Sequence, residues 1–112
     1  MDLDPLKIKE AIDGVITMSA VEKGGTAIIS RWSDASPGDE VDIHIKKEAV
    51  CTYTLTGQEG EEIEVVVLKE FFLNYSGQGK VPFTYMVYPG GGGNGWESKP
   101  VSYEIHLAER SI

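Results

Sequence analysis

An all-β Greek-key sandwich of about seven short strands is the fold class the amino-acid sequence predicts, and three observations carry it. Runs of apolar–polar alternation, the period of a strand with one buried face, recur from residue 26 onward. Turn residues separate the runs at spacings of roughly 8–12 residues, as in a sandwich. No long helical period interrupts them.

The first run is Thr26 to Trp32, entered through Gly24-Gly25, with Trp32 expected mid-strand and in the core. Ser36-Pro37-Gly38-Asp39 follows as a turn, because proline presets φ at its second position and glycine accepts positive φ at its third. Val41, Ile43 and Ile45 then alternate with Asp42, His44 and Lys46. Val50 to Leu55 is the next run, with Cys51 on the Tyr53 and Leu55 side as a small buried residue. Thr56 to Gly60 closes it, and Ile63 to Leu68 is dense enough in β-branched residues to argue strand over helix.

Lys69 to Tyr75 breaks the pattern. Leu68, Phe71, Phe72 and Tyr75 recur at i, i+3, i+4 and i+7, which predicts a short helical turn before Gly77-Gln78-Gly79. Strand returns over Lys80 to Tyr88, where Pro82 belongs near the start or at a bulge because it cannot donate to a ladder. A glycine-rich loop spans 90–95, and the final strand runs from about Lys99 to Leu107, with Val101, Tyr103, Ile105 and Leu107 facing inward. Upstream, Leu6–Ile8 and Val15–Met18 read as short edge strands around Asp13-Gly14. The crossover at Lys69–Tyr75 favours Greek-key connection. Residues 1–112 show no internal repeat and no second unit, so one domain is expected.

Composition narrows the function. The formal net charge of −8 repels phosphate backbones and anionic headgroups, which argues against nucleic acid and membrane surfaces as partners. Cys51 is the sole cysteine, so the fold is expected to hold without a disulfide, and a cysteine-based zinc site is excluded. No apolar run reaches the ~18 residues of a membrane helix, and the N-terminal segment lacks the basic and apolar regions of a secretory signal. These features fit a cytosolic chain, an exported one using another route, or one module of something longer.

The order of Asp13-Gly14, Arg31-Trp32, Pro37-Gly38-Asp39 before Val41-Asp42-Ile43, Val65-Val66-Val67, Tyr85-Met86-Val87 and Trp96-Glu97-Ser98-Lys99-Pro100-Val101 resembles a known family. These are the immunoglobulin-like repeat modules of large bacterial surface and adhesin-type proteins, common in pseudomonads. The resemblance covers about residues 5–108. It implies an immunoglobulin-like β-sandwich, a stalk or presentation role at the cell surface or outside the cell, and no catalytic residues. Two departures weaken the tandem-stalk role: Ile45-Lys46-Lys47 stands where such modules commonly carry a Trp-Gly pair, and the sequence spans little more than one module.

Few residues suggest chemistry. Gly90-x-Gly92-x-x-Gly95 matches a dinucleotide fingerprint in form, but Trp96 and a strand follow where that motif needs a helix N-terminus. His44 and His106 fall on the polar phase of their strands, and no nucleophile elbow accompanies them, so no enzyme and no cofactor are expected. The carboxylate clusters Asp39/Glu40/Asp42 and Glu59/Glu61/Glu62/Glu64 lack EF-hand spacing. Asp2, Asp4 and Asp13 at a sandwich end are the alternative, as calcium ligands. Asn74-Tyr75-Ser76 matches a glycosylation sequon. The candidate site is the loop 88–96, where Tyr88, Asn94 and Trp96 would meet a sugar ring or a protein pocket from a rigid scaffold. Two functions follow: a non-catalytic structural or interaction module, or a carbohydrate-binding, receptor-binding or toxin-associated domain using that loop.

Overall fold

The computed structural model describes residues 3–107. Their elements run β1 (Lys7–Ile8), β2 (Val15–Thr17), β3 (Gly25–Ser30), β4 (Glu40–Ile45), β5 (Glu48–Thr54), β6 (Glu62–Val67), α1 (Lys69–Asn74), β7 (Lys80–Tyr88), a 3-10 turn (Pro89–Gly91), β8 (Trp96–Glu97) and β9 (Val101–His106). They form a β-sandwich. One sheet has the order β1-β3-β6; the other has β2-β9-β7-β4-β5, with β8 also paired to β7. The chain changes sheet between β1 and β2, β2 and β3, β3 and β4, β5 and β6, and again through α1, which is the Greek-key traffic the spacing predicts.

Alternation explains the core. Ala27 and Ile29 of β3 and Ile63, Val65 and Val67 of β6 face Val41, Ile43, Ile45, Val81, Phe83, Tyr85 and Val87 of β4 and β7, all buried. Such two-sheet interdigitation fills a layer roughly 10 Å thick. Polar groups tie the first strands to the last: Tyr103 Oη accepts from the Ile8 N–H at 3.2 Å, and Tyr85 Oη donates to the Asp4 carbonyl at 2.7 Å. No disulfide is present, the single cysteine being free.

Five details depart from the expectation. Trp32 is buried as expected but lies beyond the end of β3, not mid-strand. Cys51 is half-buried, because β5 is an edge strand; burial and then the Asp42 charge push its thiol up to about 11. Leu107 is 63% exposed, one residue past the end of β9 at His106. Of the helical set, only Phe72 is fully buried, while Leu68 precedes α1 and is exposed. The final strand also begins earlier, as β8. Met86 pairs Glu97 but Phe83 pairs Val101, so one extra residue is absorbed between β8 and β9. Ser98 bridges that bulge, its N–H donating to the Tyr85 carbonyl at 2.8 Å and its Oγ accepting from the Tyr85 N–H at 3.0 Å. Pro82 sits near the start of β7, beyond the last residue of β4 paired to that strand.

Candidate binding site at the loop end

Three connections gather at one end of the sandwich: residues 31–39 between β3 and β4, 55–61 between β5 and β6, and 89–95 between β7 and β8. Antibody variable domains place their recognition loops at one end in the same way. Here backbone pairing binds the first connection to the second, since the Gly38 N–H donates to Leu55 and the Arg31 N–H to Glu61, at 2.9 and 2.8 Å.

Asp39 fastens the third. It is the last residue of the predicted turn, and its carboxylate is buried. Oδ2 accepts from the Ser36 N–H at 3.1 Å and from Trp32 Nε1–H at 3.3 Å, while Oδ1 accepts from the Gly90 N–H at 2.9 Å. Burial alone would raise the carboxyl pKa, but the bonds from Gly90, Ser36 and Trp32 outweigh it and hold the group below its ordinary range. A carboxylate that the acidic composition presents as surface charge is therefore the bolt of the loop end.

Glu59 plays a similar part in the second connection. It accepts from the Thr56 and Gly57 N–H groups at 2.9 and 3.0 Å and from the Tyr53 hydroxyl. The Thr56 backbone bond, then the tyrosine bond, bring its pKa down from 4.5 to about 2. Asp42 accepts from Thr52 Oγ1 at 2.8 Å. These carboxylates are thus engaged in hydrogen bonds. Among the described residues no three His, Cys, Asp or Glu side chains converge to hold a metal; Asp2 lies outside those residues.

The glycine-rich loop starts in a fixed shape. Gly90 and Gly91 have φ of 67° and 82°, left-handed values that glycine adopts without the strain a side chain would bring. Of the three residues predicted for the site, Tyr88 is half-buried with its ring over Gly95, and Asn94 is exposed near the loop tip. Trp96 is 41% exposed on β8.

The structure does not bring these three together around one cavity. Instead Trp96 lines a cleft of about 240 Å³ with Pro89, Asp39, Trp32, Ser33 and Asp34, and Ser36 completes the rim. Trp32 was expected only as core; it is both core and cleft wall. The histidines remain apart from this site: His44 lies on β4, and exposed His106 meets Glu104 at 3.2 Å.

No family model and no curated protein matches the chain. Among solved structures it is similar to the crystal structure of the adhesin domain of Epf from Streptococcus pyogenes, at 15% identity and a TM-score of 0.48. That superposition covers 97% of this chain and 34% of the other, so this chain spans about a third of that protein's length. An adhesin domain is thus among the structures this chain is similar to, although the pseudomonad-like repeat itself is not matched. Values this low assign no ligand and no residue role here.

Proposed function

We propose that the chain is a non-catalytic interaction module of the adhesin type, working at the cell surface or outside the cell as one unit over residues 1–112. It binds a protein or glycan partner through the loop end and needs no metal or prosthetic group. One observation carries the reading: the Asp39 carboxylate locks the first connection to the third, backbone bonds tie the first to the second, and this end presents Trp96 to solvent. Preorganised loops cost little ordering entropy on binding, and a tryptophan supplies much contact area. The acidic charge favours neutral or basic partners over nucleic acid. His44 lies half-buried on the polar phase of β4, and His106 meets the Glu104 carboxylate on an exposed strand face.

The test is binding to arrayed glycans and to intact cells, comparing the natural chain with Trp96→Ala, Tyr88→Ala and Asn94→Ala. Trp96→Ala should weaken binding about tenfold or more, as loss of an anchor worth at least ~1.4 kcal/mol would. Binding that ignores Trp96→Ala would remove the loop end as the contact surface.

A further inference from the structure

We infer that the cleft between Trp32 and Trp96 takes one neutral pyranose ring, the terminal unit of a glycan. This inference rests on the loop-end reading and narrows it to a ligand class. Size is the first argument. At about 240 Å³ the cleft falls below the roughly 300–1,000 Å³ of pockets for drug-sized ligands, so it suits one ring.

Lining chemistry is the second argument. The exposed Trp96 indole and Pro89, with the small part of Trp32 left uncovered, offer apolar surface for the C–H face of a sugar, while Ser33, Asp34 and Ser36 offer polar atoms to its hydroxyls. An apolar peptide side chain in the same place would desolvate those polar groups without replacing their water, a cost a polyhydroxylated ring avoids. Asp34 and Asp39 in the lining disfavour carboxylated or sulfated sugars by like charge.

The cleft also has a fixed shape. Asp39 holds the Trp32 indole N–H on one wall and the Gly90 N–H beside Pro89 on the other. Asp34 is held at a φ of 65°, a conformation non-glycine residues adopt at a cost. Tyr88 and Asn94, the other residues predicted for the site, lie outside the cleft lining.

The experiment titrates isotope-labelled protein with the methyl pyranosides of glucose, galactose, mannose and N-acetylglucosamine, with glucuronate as an anionic control. The expected result is saturable shifts of the Trp96 indole N–H and of backbone amides in 32–36 and 89–96, in the millimolar range, with at least one neutral probe. Trp96→Ala should weaken that binding about tenfold or more, and Trp96→Phe should keep most of it. Absence of saturable shifts, shifts centred elsewhere, shifts indifferent to Trp96→Ala, or a preference for glucuronate would each overturn the assignment. If Trp96-dependent binding to cells persists while every probe fails, the sugar assignment falls and the loop-end reading stands. If cell binding ignores Trp96→Ala, the loop-end reading falls.

Discussion

At one end of the sandwich α1 drives the ring of Phe72 into the core, where it is wholly buried. It packs 6.3 Å from the Phe83 ring, and Gly25 leaves it room: a Cβ there would stand 2.5 Å from the Phe72 ring. At the other end the closure is a carboxylate. Asp39 gathers three N–H donors from two connections and leaves an open cleft beside it. The apolar plug draws its strength from area removed from water, with the Phe72 ring itself wholly buried. The polar bolt draws its strength from a few directed bonds and leaves walls of fixed geometry facing solvent. One end is built to be stable and the other to hold a shape.

Four measurements separate these two closures. Phe72→Ala should cost about 3–5 kcal/mol in urea unfolding, the range for emptying a buried aromatic site, while leaving Trp96-dependent binding intact at temperatures where the chain still folds. Asp39→Ala should cost less, about 2 kcal/mol, because three donors lose an ionised partner. It should also speed hydrogen exchange of the Trp32 indole N–H, which Phe72→Ala leaves slow under native conditions. Equal exchange in both variants would erase the distinction between plug and bolt.

Acid should open the bolted end before the plugged one. Asp39 and Glu59 both have depressed pKa values in the fold, so each stabilises it fully above its unfolded value and loses that contribution as pH falls through the folded value. For Glu59 the window runs from 4.5 down to about 2; for Asp39 it begins at 3.8 and extends lower. Amide signals of residues 31–39, 55–61 and 89–91 should therefore broaden across this range before those around Phe72. The smallest effect lies at the plugged end, in the turn joining β4 to β5. Lys46 and Lys47 hold φ of 50° and 69°, left-handed values that favour Asn-Gly. Replacing Lys46-Lys47 by Asn-Gly should raise stability by about 1 kcal/mol, with no change at the loop end.

That lysine turn also shows where the sequence stopped being readable. Long alternating runs such as Lys80–Tyr88 appear in the fold with the same bounds, because a half-buried strand advertises its period. The hairpin between β4 and β5 carries no Asn-Gly or Asp-Gly signal, so its two-residue turn was invisible, as was the bulge at Val50 that shifts pairing between Ile43 and His44. Strand β8 was hidden because two residues have no period. The candidate site was half legible. Trp96 beside a glycine loop stood out as an exposed aromatic, but its neighbours Trp32 and Asp34 come from a connection some sixty residues earlier. Asp39 looked like one more acidic surface residue, since only tertiary packing turns its carboxylate toward Trp32 and Gly90.

The pairing of β2 with β9 has a mechanical consequence. Val15–Thr17 run parallel to Glu104–His106, so the N-terminal side of one strand and the C-terminal side of the other point to opposite ends of the sandwich. Tension applied along the chain from both sides pulls these strands past each other instead of peeling them apart one bond at a time. The bonds of the patch share the load and must yield together. Three residue pairs thus act as a shear joint, which tension from the N-terminal side reaches once the pairing of Lys7–Ile8 with β3 has given way.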